Sequence, residues 1–265
     1  MIDPTELGIL APALIAGLLI TATHVPLGIQ VLARGIVFID IAIAQIAGFG
    51  VVGADYLGFD HDGWSVQIAA LLAALLGALL LTWTEKRWPE VQEALIGCVF
   101  VLAATAQILL LASNPHGGEF LRDLLAGQIL WVTSQKLWIV SVLTAIVLAL
   151  WFGVGSVRLG RLGFYLVFGL SVTASVQLVG VYLVFSTLIV PALASRNARS
   201  SRLAKAYLVG AVGYVAGLIA SAVWDLPTGP TVVWAMAVAG VAMSTLLREL
   251  ATPVPTTNER ARRAR

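Results

Sequence analysis

Nine apolar stretches, each close to the length that crosses a lipid bilayer, follow one another with only short polar connections. A transmembrane helix needs about 20 apolar residues, and a water-soluble domain of 265 residues cannot bury so much apolar surface. Only 11% of the residues are charged, and the mean hydropathy is +0.94. We therefore predict an all-α, polytopic integral membrane protein with about nine transmembrane helices. They cover residues 8–29, 36–55, 66–84, 92–112, 136–155, 161–177, 179–195, 203–224 and 231–249.

Four features qualify this regular pattern. The stretch 161–195 is long for one span and short for two, so it either crosses twice or dips into the membrane and returns. Residues 113–135 include an apolar piece too short to span, which predicts an interfacial or re-entrant helix. The glycine-rich segment 153–163 forms either a short contact helix or a flexible turn. Gly213 and Gly217 have the GxxxG spacing that permits close helix packing.

The basic residues lie almost entirely on one side of this threading. Of the 16 Lys and Arg residues, 14 fall in alternate connections or in the C-terminal tail, and only Arg122 and Lys136 fall on the other side. Cytoplasmic loops retain Lys and Arg, so the basic connections are predicted to be cytoplasmic. We expect a multi-pass protein of the bacterial inner membrane with a cytoplasmic C-terminus. Residues 1–250 would form one transmembrane domain, and residues 251–265 a disordered basic tail.

No motif for catalysis or nucleotide hydrolysis is present. The sequence lacks a phosphate-binding Gly-x-x-x-x-Gly-Lys-Ser/Thr loop, a His-Glu-x-x-His motif and a nucleophile elbow. A single cysteine, Cys98, excludes an internal disulfide or a thiolate cluster, and the net charge of +2 gives no indication of a nucleic-acid partner. The chain is therefore not expected to be an enzyme or to carry an intrinsic cofactor. Its energy must come from a partner or an ion gradient.

Five short segments, spread in order over most of the chain, carry a shared pattern. The first is Arg-Gly-Ile-Val-Phe-Ile-Asp-Ile-Ala-Ile-Ala-Gln-Ile-Ala-Gly at 34–48. The others are Glu-Ala-Leu-Ile-Gly-Cys-Val-Phe at 93–100, Leu-Ala-Gly-Gln-Ile-Leu-Trp-Val-Thr at 125–133, the proline-containing helix at 179–196, and Asp-Leu-Pro-Thr-Gly-Pro-Thr-Val-Val at 225–233. Together they resemble the permeases of the ABC importers for zinc, manganese and iron.

This resemblance implies a permease subunit that forms a homodimer and works with two cytoplasmic ATPase subunits and an extracytoplasmic metal-binding protein. Its substrate would be a divalent transition metal ion, zinc or manganese, with iron as a further option. The contacts with the ATPase would come from the segment 153–163 and the next basic connection, through Arg158, Arg161, Arg196 and Arg199. Alternatively, these arginines only set the topology. The Arg-rich tail also suits contact with anionic membrane lipid.

The chain departs from the family at the metal-associated positions. Aligned from Arg34 without gaps, the family's Asp falls on Ile41 and its His on Gln45. The nearest carboxylate, that of Asp40, has moved by one residue, about 100° around a helix. The inner loop after the fifth span is also shorter than the family's usual coupling segment. A different class therefore stays open: a gradient-driven metal carrier, or a membrane scaffold derived from the family that no longer couples to an ATPase.

Three residues of the first two spans are candidates for the metal path: His24, Asp40 and Gln45. An intramembrane carboxylate is costly unless it is paired or faces water, and it commonly marks a pathway; alternatively, Asp40 pairs with Arg34 or caps a helix. Imidazole suits zinc, iron or manganese, although a hydrogen bond to a carbonyl freed by Pro26 explains a buried His24 equally well. Gln45 either offers an oxygen to the cation or hydrogen-bonds a neighbouring helix.

Two polar clusters are predicted on the outer face. Asp60, His61 and Asp62 form one, and His116 with Glu119 forms the other. Carboxylates and imidazoles in this arrangement attract divalent cations or dock a metal-delivering protein. The alternative is that both clusters belong to ordinary solvated loops.

Overall fold

Ten α-helices make up the part of the chain that the computed structural model describes, which is residues 4–59, 63–112, 114, 117–127 and 129–251. In chain order they are α1 (Pro4–Arg34), α2 (Ile39–Tyr56), α3 (Trp64–Arg87), α4 (Gln92–Leu111), α5 (Gly117–Ala126), α6 (Ser134–Ala149), α7 (Ser156–Val179), α8 (Val181–Ala194), α9 (Arg202–Trp224) and α10 (Thr228–Ala251). These ranges contain no strand, which confirms the all-α prediction.

Eight helical segments among the described residues are long and apolar enough to cross a membrane. The helix α8 is shorter, with 14 residues. At 1.5 Å per residue it measures about 21 Å, less than the roughly 30 Å of a bilayer core. The stretch 161–195 contains most of α7 and all of α8, and the two helices are separated at Gly180, where φ is +83°. The predicted nine spans correspond to eight full-length helices and one short one.

The connection that follows α5 packs against the start of α8. Gly127 has φ +70° and lies against the carbonyl of Val179 and the backbone of Gly180, so closely that a Cβ atom on either glycine would overlap the other segment. This contact explains why glycine occupies both positions. The segment 113–135, predicted to hold a short non-spanning helix, contains α5, whose 10 residues are indeed too few to span.

Small residues set the distances between the central helices. Gly28 of α1 lies against the carbonyl of Leu188 in α8. In α9, Gly213 and Gly217 face α10, where a Cβ atom on Gly213 would lie 2.7 Å from the Cβ of Met236. The GxxxG spacing, predicted to permit close helix packing, therefore lies at the contact between α9 and α10. The tightly packed α1 is the helix that carries His24.

The segment 153–163 forms a short helix between two glycine hinges. A π-turn at Leu150–Val154 ends α6, and Gly155 follows with φ +85°. Residues 156–160 are the first part of α7. At Gly160, where φ is +63° and ψ is −165°, the helix is interrupted, and α7 resumes beyond this residue. Of the two sequence alternatives, a contact helix or a flexible turn, the structure contains the helix. We call residues 156–160 the contact helix.

Candidate functional site

The imidazole of His24 is completely buried in α1. Its Nδ1 lies 3.1 Å from the carbonyl oxygen of Ile20 and 3.0 Å from the hydroxyl of Thr23. A carbonyl oxygen only accepts, so this network assigns the ring proton to Nδ1 and leaves a lone pair on Nε2. That Nε2 is buried and has no hydrogen-bond partner among the described residues. Metal-binding histidines commonly donate their other ring N–H to a backbone carbonyl in this way.

The carbonyl that Pro26 leaves without a helix partner is not the one that binds His24. Proline lacks an N–H, so the carbonyl of Ala22, four residues earlier, has no intrahelical donor. The hydroxyl of Tyr207 in α9 donates to it over 3.0 Å. The sequence suggested that His24 binds the carbonyl freed by Pro26, but Tyr207 binds that carbonyl and His24 lies against the Ile20 carbonyl instead. The sequence analysis did not identify Tyr207.

A pocket lined by hydroxyl groups lies beside the His24 turn, between α1, α6 and α7. Its cavity volume is about 10 Å³, roughly the space for one water molecule, and it is partly open to the surroundings. Thr23, Thr144, Ser171 and Ser175 line it together with aliphatic side chains. Since the Thr23 hydroxyl also contacts the His24 ring, this polar pocket and the imidazole are neighbours.

The carboxylate of Asp40 lies in the first turn of α2 and is completely buried. Neither of its oxygens has a hydrogen-bond partner among the described residues. The suggested partner Arg34 points elsewhere, because its guanidinium lies over the ring of Phe164, 4.1 Å from the centroid. The positive end of the α2 dipole favours a carboxylate here, but burying an ion without a partner remains unfavourable.

Gln45 takes part in a hydrogen-bonded pair with a residue that the sequence analysis missed. Gln107 of α4 donates from Nε2 to Gln45 Oε1 over 2.7 Å and lies 3.0 Å from the Gln45 backbone carbonyl. Both side chains are buried, and Gln107 Oε1 has no partner among the described residues. A lone glutamine in the apolar run of α4 was the signal, because polar side chains inside membrane helices commonly bond across helices.

The structure does not gather these candidates into a closed metal site. Among the described residues, no group of three or more His, Cys, Asp and Glu side chains is arranged to hold a metal ion. Of the outer-face candidates, Glu119 is exposed near the start of α5. The others, Asp60, His61, Asp62 and His116, lie outside the described residues.

The four arginines predicted to contact an ATPase differ in their surroundings. Arg158 is exposed on the contact helix, and Arg196 and Arg199 are exposed in the connection between α8 and α9. Arg161 lies just after the contact helix, and its Nε is 3.6 Å from Glu85 Oε1 of α3. Arg161 therefore has a partner within the chain. We call the end of the bundle with Arg34, Glu85 and Arg161 the basic face.

Comparison with known proteins connects this architecture to transport. A model of the ABC 3 transport family matches residues 6–156 and 152–246. A protein of Chlamydia muridarum named as a probable metal transport system membrane protein is 26% identical over 95% of this chain and 94% of its own length. The high-affinity zinc uptake system membrane protein ZnuB of Haemophilus influenzae is 24% identical over 85% of this chain and 92% of its own. The manganese transport system membrane protein MntC of Halalkalibacterium halodurans is 24% identical over 84% and 82%.

A solved structure shows the same fold. In PsaBC from Streptococcus pneumoniae in complex with Fab, one chain superimposes with a TM-score of 0.72 at 20% sequence identity. The match covers 92% of this chain and 95% of the other. The two folds are thus compared over nearly the whole length of both chains.

Proposed function

The chain belongs to the ABC 3 transport family, and from this premise we propose that it is the permease subunit of an ABC importer for a divalent transition metal ion. Zinc and manganese are the favoured substrates, because both occur in the names of relatives that match most of the chain. Iron remains a further option. The observation that carries the proposal is the family match, which extends from residue 6 to residue 246.

The proposed partners supply what this chain lacks. Two ATPase subunits would bind the basic face, which then lies in the cytoplasm together with the C-terminus. A second copy of the chain would complete the permease as a homodimer. An extracytoplasmic metal-binding protein would deliver the ion to the opposite face. Residues 1–250 would serve as one transmembrane permease domain, with 251–265 as its basic tail.

His24 and Asp40 are the proposed ligands along the metal path. A divalent ion needs nitrogen or oxygen ligands in place of water as it crosses the membrane. His24 fits because its Nε2 lone pair has no internal donor, and Asp40 fits because its carboxylate has no internal counter-charge among the described residues. Since both side chains are buried, the ion reaches them only when the helices separate. A site with only two protein ligands holds the ion less tightly than a site with many ligands, which suits passage and release of the ion better than its storage.

Gln45 is assigned a positioning role. Its amide oxygen already accepts a hydrogen bond from Gln107, so we propose that it holds α2 against α4 instead of binding the ion. On the outer face, Asp60, His61, Asp62, His116 and Glu119 remain proposed contacts for the ion or for the delivering protein.

Association and ATP dependence test the proposed function. The neighbouring genes should encode a Walker-motif ATPase and a secreted metal-binding protein. Co-expressed with that ATPase, the chain should co-purify with it, and ATP hydrolysis in liposomes should rise when the metal-loaded binding protein is added. If the two proteins do not associate, the alternative of a gradient-driven carrier or scaffold takes its place.

The proposed ligands are tested by metal-dependent growth of a bacterial host that lacks its own importer. Asp40→Asn and His24→Gln keep side chains of similar size and should abolish growth on limiting metal, at membrane levels equal to those of the unaltered protein. His61→Ala is the comparison for the outer face. Normal growth with Asp40→Asn, together with loss of growth with His61→Ala, would move the selecting site from the membrane to the outer loop.

A further inference from the structure

One face of α7 joins the ends of two other helices on the basic face. Arg161, Phe164 and Tyr165 occupy positions i, i+3 and i+4 of α7, which places them side by side. Arg161 Nε lies 3.6 Å from Glu85 Oε1 in the last turn of α3, with the two side chains 49% and 17% exposed. The hydroxyl of Tyr165 lies 3.3 Å from Nε2 of Gln92, at the start of α4. The ion pair and the hydrogen bond thus connect α7 to both sides of the α3–α4 turn.

The same face of α7 also holds the turn between α1 and α2. The guanidinium of Arg34, at the end of α1, lies over the Phe164 ring in a cation–π contact. Phe164 also packs against Trp151 of the π-turn, with ring centroids 6.3 Å apart. At the start of α2, the N–H of Phe38 donates to Glu93 Oε1 of α4 over 3.2 Å. The α1–α2 turn is therefore fixed by α7 at one end and by α4 at the other.

The contact helix forms a small arm bounded by two glycines with unusual backbone conformations. Gly155 and Gly160 bound it with φ values of +85° and +63°, which side chains other than glycine rarely adopt. Arg161 is the first residue beyond the second hinge. Beyond this glycine, the first ion pair between α7 and the bundle is the one between Arg161 and Glu85.

We infer that the Glu85–Arg161 ion pair is a positioning contact that carries the movement of the contact helix into the α1–α2 turn. That turn lies between the helix that holds His24 and the helix that holds Asp40. The inference rests on the proposed function, and it assigns different roles to two neighbouring arginines. Arg158, which is exposed on the contact helix, contacts the ATPase, whereas Arg161 transmits the movement inside the chain.

Charge reversal in proteoliposomes tests this inference. The complex of the chain with its ATPase and metal-binding protein is assayed for ⁶⁵Zn or ⁵⁴Mn transported per ATP hydrolysed. Arg161→Glu faces Glu85 with a like charge and should lower this ratio by roughly five-fold or more, the lower end of typical coupling between sites. The ATPase should still co-purify. Glu85→Arg combined with Arg161→Glu restores opposite charges and should recover most of the ratio.

Lys86→Glu is the matched control, since it reverses an exposed charge in the same turn as Glu85 and should leave the ratio unchanged. Should Arg161→Glu accumulate poorly, Arg161→Gln removes the charge without repulsion and must lower the ratio in the same direction. An unchanged ratio in the Arg161 variants, or a double variant no better than Arg161→Glu alone, overturns the inference. Absence of ATP-dependent transport by the unaltered complex is a different result, because it refutes the proposed function itself.

Discussion

Replacing Gln107 by leucine tests whether the Gln45–Gln107 pair is structural. The change removes the donor to Gln45 Oε1 at 2.7 Å and the contact with the Gln45 backbone carbonyl at 3.0 Å. A buried acceptor deprived of its donor costs about 1–3 kcal/mol, and hydrogen bonds between membrane helices measure about 0.6 kcal/mol on average and 1.7 at most. Leucine also removes the amide oxygen of Gln107, which is buried without a partner among the described residues, and this offsets part of the cost. We therefore expect the free energy of unfolding to fall by about 1–2 kcal/mol.

Combining Gln45→Leu with Gln107→Leu should recover much of that loss. When both partners become apolar and similar in shape, no buried group is left without a partner. The assay is unfolding in mixed detergent micelles, followed by tryptophan fluorescence, for the unaltered chain, both single variants and the double variant. We expect the double variant to lose at least about 0.5 kcal/mol less than the sum of the single variants. Additive losses would refute the pair, and loss of transport in a stable double variant would return Gln45 to the metal path.

Two further substitutions test the packing around the site. Gly217→Ala places a methyl group against α10 where no space exists, so we expect a loss of about 1–3 kcal/mol in the same unfolding assay; Gly53→Ala, with open space around it, should have little effect, and equal behaviour of the two would contradict the close α9–α10 contact. Tyr207→Phe deprives the Ala22 carbonyl of its donor and should cost about 1 kcal/mol, whereas Tyr182→Phe, on an exposed side chain, should be neutral. A neutral Tyr207→Phe would show that the carbonyl finds another donor.

The sequence predicted the architecture well because membrane spans leave a strong local signal. Apolar runs of fixed length gave the number and order of the helices to within one short member. The short α8 was ambiguous because the break before it, at Gly180, packs against Gly127, which lies far away in sequence. The GxxxG spacing of α9, in contrast, is local and indicated close helix packing, although it did not identify α10 as the partner.

The candidate site was harder to predict because its polar contacts cross between helices. His24 is an exception, because its Nδ1 lies near the Ile20 carbonyl of the same helix. Arg34, in contrast, was a plausible partner for Asp40 by spacing alone, yet it stacks on Phe164 from a helix that is distant in sequence. Arg161 and Glu85 are 76 residues apart, so no periodicity relates them.

The dependence of metal uptake on the partner ATPase tests the central claim most directly. Cells that express the chain with the neighbouring ATPase and binding protein are compared with cells in which the Walker lysine of that ATPase is replaced by alanine. Uptake of ⁶⁵Zn or ⁵⁴Mn is measured over the first minutes, with equal membrane levels of this chain. Our account predicts uptake above background with the intact ATPase and none with the variant. Uptake that persists with the inactive ATPase and stops when a protonophore collapses the ion gradient would contradict it.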